Sequence, residues 1–492
     1  MNYYTYILRG LLACTLCNLI WSCTTDFEEI NQNKKEPSQV DAKYLVANAQ
    51  SSLMVHYLVL DARTNANALL SQHFGQIAYT QESRYQLSPN FYNRYWSEYY
   101  TKGLKDLAEA QKLIEAAPEG YLSKEEKNNR LAIVKTLQVW GFQLVTDAYG
   151  DIPYFNALSG ETIPNPAYDT QEEIYKDLVA KITEAITLIQ PNSGAFESYD
   201  LVYNSDMYKW KKFAASLKLR LGMRIMDVAP ELGKKTVEEA IQAGVFTSNT
   251  DNALFQFLEV PNANPVYTQY IDRQEYGLSN TFIDMLKDLD DPRIHKYAGY
   301  AWNEADGAYN IYAGVPFGQS QNMNYWLASR PHNDIQKNPS QPGVFMDYAQ
   351  VAFLLAEAAE LNIAVGGTAA EHYHAGIRAS MEYWGVEESN INAYLSQDDV
   401  NYANAPGDYK QKIGTQKWLA LYLQEGEAWA EWRRLDYPIL NVPVDGNLTY
   451  EDIPKRLKYP DNEKTVNAAN VEKAIQNIGS DQHSHKLWWD IH

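Results

Sequence analysis

The sequence predicts a mainly α-helical protein whose helices come in consecutive pairs, with one long loop-rich region inserted among them. Apolar residues recur at spacings of three and four over many segments, and short connections separate neighbouring segments. Between residues 246 and 343, in contrast, helical periodicity fades and Asn, Pro, Gly and Tyr become frequent. These observations predict a helical scaffold that carries an irregular region.

The clearest helical pattern runs from about Met207 to Val228. Its apolar residues lie on one face, which predicts that this face is buried: Trp210, Phe213, Leu217, Leu221, Ile225 and Val228. Basic residues mostly fall outside that stripe, and we interpret them as a solvated or partner-contacting face: Lys209, Lys212, Lys218, Arg220 and Arg224.

Similar patterns predict further helices, several of them in consecutive pairs: Tyr44–Leu60, Asn90–Ala117, Lys124–Tyr149, Gln171–Ile189, Tyr348–Ala364, Ala369–Trp384, Ile413–Leu423 and Glu425–Leu435. Stacked helical hairpins of the tetratricopeptide type give such an arrangement. The consensus of about 34 residues that marks those repeats is not recognisable by eye.

The loop-rich region 246–343 keeps helical periodicity only at Asn280–Asp288. Loops of this length inside a compact protein are usually functional. Aromatic residues are frequent there, so this is the first place to look for a ligand: Tyr267, Tyr270, Tyr276, Tyr297, Tyr300, Trp302, Tyr309, Tyr312, Tyr325 and Trp326.

A second aromatic-rich stretch covers residues 76–100. Four of its residues recur at helical spacing, which favours packing in the core: Tyr92, Tyr95, Trp96 and Tyr99. Tyr79, Arg84 and Tyr85 precede a Ser-Pro turn and are freer to face solvent.

Residues 1–22 are predicted to be an export signal, in which an apolar stretch from Gly10 to Trp21 leads to Ser22. Cys23 follows directly and is predicted to carry a lipid, and residues 23–39 form an acidic, flexible tether. The alternatives are an ordinary signal peptide with a chance cysteine or, because Trp21 is unusually bulky, an uncleaved membrane anchor.

Composition limits the partners. The chain has 62 acidic and 42 basic residues, a net charge of −20, which argues against nucleic acid or anionic lipid and for a neutral ligand or a protein. The 37 Tyr and 12 Trp suit sugar rings or peptide side chains, although most are expected to pack between helices. Cys14 and Cys17 lie within the signal, so the mature chain has no disulfide.

Motifs for chemistry are missing from the sequence. It contains no G-x-S-x-G elbow, phosphate-cradling Gly-rich loop, H-E-x-x-H or paired Cys/His metal ligands. We therefore predict no catalytic residue, no metal and no cofactor. A glycosidase needs only two carboxylates, however, and sequence alone does not exclude one.

Several strings resemble the SusD/RagB family of outer-membrane lipoproteins, in matching order over nearly the whole mature chain. They are Cys23 with Phe27–Asn31, the DAYGDIPY string Asp147–Tyr154, the helix Asp200–Ile225, Gly343–Leu361, Tyr373–Gly385, Gln416–Leu440, Ile453–Glu463 and Trp488–Asp490. In the third, Ser205 stands where a Gly is more usual.

This resemblance implies one SusD-like domain over residues 40–492, in which four tetratricopeptide-like helical pairs carry the loop-rich part. It also implies a lipid-anchored, cell-surface protein of the outer membrane. Such proteins sit as lids on a SusC-like TonB-dependent barrel transporter and pass it oligosaccharides or, in some members, peptides. The competing functions are a surface glycan hydrolase and a helical-repeat scaffold or adhesin.

Glycan binding needs aromatic planes for sugar rings and polar side chains for hydroxyl groups. We predict that the binding platform lies among Tyr79, Arg84, Tyr85, Trp302, Tyr309, Tyr312, Asn322 and Trp326. The resemblance does not supply these residues, because they lie outside the family's strings. For each residue alone, anchoring of its own loop is the alternative.

Overall fold

Helices make up most of the chain, and many begin at a side chain that caps the first turn. The structure, a computed structural model, describes residues 40–492, so the predicted signal peptide, Cys23 and the tether lie outside the described residues. Two of the side chains that cap a helix are those of Ser123 and Thr170. Each accepts a hydrogen bond from the backbone of the helix that follows.

The helices are α1 Ala42–Leu58, α2 Asn67–Leu70, α3 Pro89–Glu98, α4 Lys105–Glu115, α5 Lys124–Tyr149, α6 Gln171–Leu188, α7 Met207–Arg224, α8 Pro230–Ala243, α9 Pro265–Asp272, α10 Asn280–Asp288, α11 Ile294–Tyr297, α12 Asn333–Gln336, α13 Tyr348–Glu360, α14 Ala369–Tyr383, α15 Glu388–Leu395, α16 Tyr409–Ala420, α17 Glu425–Leu435, α18 Asp461–Val466 and α19 Ala468–Ile478. Helices α5 and α17 begin and end at the predicted residues. The predicted helix Asn90–Ala117 consists of α3, a π-helical turn at Tyr99–Leu104, and α4. Within the described residues, no helix is long and apolar enough to cross a membrane.

The long helices pack as neighbouring pairs: α1 with α4, α5 with α6, α7 with α8, α13 with α14, and α16 with α17. Pairs also contact one another, because α6 packs on α7 and α13 packs on both α7 and α16. The predicted fold class is therefore confirmed: a mainly α scaffold of tetratricopeptide-like pairs with a loop-rich insertion.

Three small antiparallel sheets organise the loop-rich part. The strands are β1 Phe74–Gln76, β2 Ala253–Phe255, β3 Tyr276–Leu278, β4 Ala301–Asn303, β5 Ala308–Ile311 and β6 Gly343–Met346. Because β2 pairs with β6, the chain from residue 256 to 342 leaves the scaffold and returns to it at one place. The β1–β3 pair then ties this excursion to the N-terminal half, and β4 and β5 form a hairpin.

The prediction of a solvated or partner-contacting basic face on α7 is wrong for the C-terminal half of the helix, since Lys218, Arg220 and Arg224 are buried. Arg224 donates two hydrogen bonds to the carboxylate of Glu427, at 2.8 and 2.7 Å. Its guanidinium also lies 2.8 Å from Glu431 Oε1. Burial opposes the charge, but the surrounding carboxylates raise the pKa of Arg224 above its usual value. The basic residues in the C-terminal half of α7 thus serve the interior, whereas Lys209 and Lys212 in its N-terminal half are half-buried.

Most of the aromatic residues in the stretch 76–100 pack in the core, as their helical spacing indicates. Tyr92, Tyr95, Trp96 and Tyr99 are all buried. Tyr95 and Tyr99 lie against the ring of His56 on α1, with ring centroids 5.3 and 4.6 Å away. The stretch therefore joins α3 to α1.

Candidate functional site

The β4–β5 hairpin carries two aromatic pairs. Trp302 lies opposite Tyr309 in the strand register, and their ring centroids are 5.1 Å apart. Tyr300, just before β4, stacks at a tilt on Tyr312, just after β5, at 4.6 Å. A β-bulge between these pairs shifts the register at Ala301 and Trp302. Since Tyr300 and Tyr309 are about half exposed, the hairpin offers aromatic surface to solvent.

A second aromatic pair reaches the hairpin from the segment that follows it. Tyr325 and Trp326 form one turn of 3₁₀ helix that contacts β4, and their ring centroids are 5.2 Å apart. Both side chains are exposed. The guanidinium of Arg330 lies over the Tyr325 ring, 5.0 Å from its centroid, which places a positive charge beside the aromatic surface.

Asn322 joins this segment to the N-terminal half of the chain. Its side-chain oxygen accepts a hydrogen bond from the backbone N–H of Tyr79 at 3.3 Å. The N–H of Met323 donates to the carbonyl of Ile77 at 3.0 Å. The ring of Tyr79 is 66% exposed. These bonds bring Tyr79 and Asn322, which are far apart in sequence, into one surface.

Arg84 lies at the edge of this surface and fixes its backbone. Its guanidinium donates to the hydroxyl of Thr80 at 2.7 Å and to the carbonyl of Gln319 at 3.1 Å. On the other side of that segment, the N–H of Ser320 donates to Asp445 at 2.6 Å. The other two nitrogens of the Arg84 guanidinium make no hydrogen bond among the described residues, so they can serve a ligand.

The expectation that Tyr85 faces solvent is wrong. Its side chain is only 9% exposed, and its hydroxyl accepts a hydrogen bond from the amide of Gln72 at 2.8 Å. Burial raises the pKa of its phenol. The physical reason is packing, since the ring lies near Phe317 in the interior, with ring centroids 5.8 Å apart. Tyr85 itself takes a positive φ at the end of the short 3₁₀ helix Glu82–Arg84. Tyr85 supports the surface from below.

We call this set of residues the aromatic platform. Its exposed residues are Tyr79, Tyr300, Tyr309, Asn322, Tyr325 and Trp326, and its half-buried residues are Arg84, Trp302, Tyr312 and Arg330. Seven of the eight predicted site residues therefore lie in it, and Tyr85 does not. Three residues of the platform were not among those eight, namely Tyr300, Tyr325 and Arg330. Tyr300 stands two residues before Trp302, the spacing that puts side chains on one face of a strand.

The chemistry of the platform is that of binding through stacking and hydrogen bonds. The Tyr312 hydroxyl contacts His295 Nδ1 at 2.9 Å, and burial together with Tyr300 raises the pKa of Tyr312. In the hairpin turn, the carboxylate of Asp306 accepts hydrogen bonds from Asn303 and Asn310, at 2.7 and 2.8 Å. That carboxylate is thus engaged in holding the turn.

The chain is similar to proteins of known structure over almost its entire length. A chitin-binding protein is 29% identical, with a TM-score of 0.80, and the match covers 92% of this chain and 100% of that one. A chitin-binding SusD homologue from Flavobacterium johnsoniae is 25% identical, with a TM-score of 0.77 and coverage of 91% and 99%. A SusD homologue from Bacteroides uniformis is 26% identical, with a TM-score of 0.76, and the match covers 91% of this chain and 100% of that one.

Among curated proteins, none matches the chain. Residues 34–460 match the model of the SusD-like family that is described as starch-binding and associating with the outer membrane. Since this match spans most of the sequence, the resemblance seen in its strings is confirmed, and the chain belongs to the SusD-like family.

Proposed function

We propose that this protein captures an oligosaccharide on the aromatic platform and delivers it to a TonB-dependent outer-membrane transporter. The observation that carries the proposal is the platform itself, where three aromatic pairs and exposed Tyr79 lie on one surface of a SusD-like chain. Its similarity to two chitin-binding proteins supports a glycan as the ligand.

The geometry of the platform suits a neutral sugar chain. Aromatic faces carry partial negative charge and pack against the polarised C–H groups on the apolar side of a sugar ring. Asn322, Arg84 and the Tyr312 hydroxyl supply hydrogen-bonding groups for ring hydroxyls beside those faces. The net charge of −20 disfavours polyanionic glycans. We infer that the protein binds its ligand without cleaving it.

Calorimetry with chitohexaose tests glycan capture. Because the relatives bind chitin, we expect saturable binding to the mature chain, with maltohexaose and xylohexaose as comparisons. Chain-end analysis of the recovered chitohexaose is expected to show no new reducing ends. If no neutral glycan binds in calorimetry or is retained on an affinity gel, the proposed ligand class is wrong.

Delivery is a separate step with a separate test. An affinity-tagged copy, purified from outer membranes in mild detergent, is expected to bring a SusC-like TonB-dependent barrel with it. The control is the same purification from cells that lack the tagged chain. Recovery of the protein alone, under conditions in which glycan binding survives, would remove the transport step and leave the capture step in place.

We further propose that a lipid on Cys23 anchors the protein at the cell surface and that residues 23–39 tether the folded domain. Cys23→Ala is expected to abolish incorporation of a labelled fatty acid and to release the protein from the membrane fraction. Cys17→Ala is the matched control, since it changes a cysteine within the predicted signal. Unchanged membrane retention of Cys23→Ala would favour the alternative of an uncleaved anchor.

A further inference from the structure

Gln72 is a fully buried residue between the end of α2 and the start of β1. Its backbone has a φ of +59°, a left-handed conformation that costs free energy for any residue with a side chain. Such a conformation persists only where the surrounding structure holds it, and it is found most often at functional positions. The contacts of the Gln72 side chain indicate what this conformation achieves.

The side-chain amide of Gln72 binds three separate segments of the chain. Its Nε2 donates to the Tyr85 hydroxyl and to the carbonyl of Asn441, both at 2.8 Å. Its Oε1 accepts from the Thr281 hydroxyl at 2.7 Å and from the N–H of Asn441 at 3.0 Å. A primary amide has two N–H donors and two acceptor lone pairs, so these four bonds use its full capacity.

The contact with Asn441 leads to the segment of residues 317–326, which carries exposed residues of the platform and which we call the platform segment. Both the N–H and the C=O of Asn441 pair with the amide of Gln72, as they would with a neighbouring strand. Three residues later, the N–H of Val444 donates to the carbonyl of Phe317 at 2.9 Å. The amide therefore holds the loop on which the start of the platform segment rests.

The contacts with Thr281 and Tyr85 lead to the same place. The N–H of Asn280, the first residue of α10, donates to the carbonyl of Val315 at 2.8 Å, and its side-chain oxygen accepts from the N–H of Phe317 at 2.9 Å. The ring of Tyr85 also lies near Phe317, with ring centroids 5.8 Å apart. All three contacts of the amide thus converge on Phe317, where the platform segment begins.

We propose that Gln72 is a positioning residue for the aromatic platform. Its amide determines where the platform segment lies, although its buried side chain does not reach a ligand. This inference rests on the proposed capture of a glycan by the platform. Rings that are already held in place lose little conformational entropy on binding, so displacement of the segment lowers the affinity although every ring is still present.

Calorimetry with chitohexaose and the mature chain tests this role. Gln72→Met keeps the length of the side chain but removes all four hydrogen bonds, and it is expected to weaken binding at least about tenfold. Gln171→Met is the matched control, since Gln171 is also buried and its amide bonds to Thr146 and to the backbone of Trp488, both outside the platform. We expect this control to lose stability and to bind chitohexaose normally.

Hydrogen exchange shows whether the platform segment has moved. In Gln72→Met, the backbone N–H groups of residues 317–326 are expected to exchange faster than in the natural protein, whereas those of α5 and α6 keep their rates. In Gln171→Met, residues 317–326 are expected to keep theirs.

Gln72→Asn is a second variant, which decides the question if Gln72→Met does not fold. It keeps an amide, and Asn tolerates the left-handed backbone better than most residues. Because its side chain is one carbon shorter, its amide cannot reach Asn441 and Thr281 together. We therefore expect weaker chitohexaose binding and faster exchange in residues 317–326 here as well.

The inference is overturned if both variants of Gln72 bind chitohexaose within about twofold of the natural protein, or if Gln171→Met loses as much affinity as they do. It is also overturned if residues 317–326 exchange no faster in the variants of Gln72. Failure of the proposed function looks different, because the natural protein itself would then bind no neutral glycan. In that case the exchange of residues 317–326 still decides whether Gln72 holds the platform segment.

Discussion

Trp302 and Tyr309 face each other across the β4–β5 hairpin at an interplanar angle of 69°, with ring centroids 5.1 Å apart. This edge-to-face contact fixes the orientation of both rings, and Tyr309 nevertheless remains 53% exposed. Such a pair is stabilised beyond simple burial by about 0.5–1.5 kcal/mol. Preorganised rings lose little conformational entropy when a ligand stacks on them.

Trp302→Ala is therefore expected to lower the affinity for chitohexaose about tenfold, or ~1.4 kcal/mol, because it removes one ring and the support of the other. Calorimetry measures the affinity, and a thermal melt confirms folding. Tyr121→Ala is the control, since it removes an aromatic ring that is 65% exposed and lies outside the platform. If Trp302→Ala binds like the natural protein, the hairpin is not part of the site.

Tyr85 is expected to affect stability rather than binding. Tyr85→Phe removes the hydroxyl that accepts from Gln72, and we expect the free energy of unfolding to fall by about 1 kcal/mol. Tyr85→Ala also leaves a cavity and is expected to cost about 3–5 kcal/mol. Urea denaturation measures both changes. A large loss of glycan affinity in a fully folded Tyr85→Phe variant would instead show that Tyr85 takes part in binding.

Tyr85 and Tyr309 show how much of the candidate site could be predicted from the sequence. The aromatic-rich segments were recognisable from composition, and seven of the eight predicted residues lie on the platform. The burial of Tyr85 depends on packing near Phe317, which is distant in sequence, and the pairing of Trp302 with Tyr309 depends on the register around a β-bulge. Neither feature leaves a readable mark in a single sequence.

Helix ends could be predicted better than the candidate site where capping residues and glycines mark them in the sequence. Ser123 marks the start of α5, and Gly150 directly follows its end, so both of its ends were predicted correctly. Arg224 was placed wrongly because its partners Glu427 and Glu431 come from α17, some two hundred residues away. A buried cation is stable only beside such carboxylates, and a helical periodicity carries no information about them.

His56 is expected to make the fold sensitive to acid. Burial, with a smaller effect of Lys102, lowers the pKa of His56 from 6.5 to about 3. The unfolded chain therefore binds a proton near pH 6.5 while the folded protein does not until about pH 3. The stability from the neutral ring is complete above pH 6.5 and is lost as the pH falls toward 3, at up to about 1.4 kcal/mol per pH unit.

His56→Phe tests this dependence. A phenyl ring keeps the contacts with Tyr95 and Tyr99, and it removes two buried ring nitrogens that have no hydrogen-bond partner among residues 40–492. We expect the free energy of unfolding to rise at pH 7 and to vary less between pH 6.5 and 3 than in the natural protein. His295→Phe, a change at the exposed histidine that contacts Tyr312, is the control and is expected to keep the acid dependence. An unchanged pH profile in His56→Phe would contradict the assignment.

Gly318 is expected to control the position of the platform segment that carries Asn322, Tyr325 and Trp326. Its φ is +75°, and a Cβ at this position would lie 2.3 Å from Pro443 Cβ and 3.1 Å from the carbonyl of Ser83. An alanine here has to adopt a left-handed conformation, which costs about 1–2 kcal/mol, and it also has to displace a proline.

We expect the segment to move rather than the helical scaffold, because it is a loop held by individual hydrogen bonds, such as those of Ser320 with Asp445 and of Asn322 with Tyr79. Gly318→Ala should therefore lower chitohexaose affinity more than tenfold although every platform side chain is still present, with a small change in melting temperature. Gly366→Ala is the matched control: its φ is +79° and its added Cβ would meet no atom within 4 Å. Gly366→Ala has the same backbone cost as Gly318→Ala and is expected to bind chitohexaose normally. Equal affinities for the two variants would show that the position of the platform segment does not matter for binding.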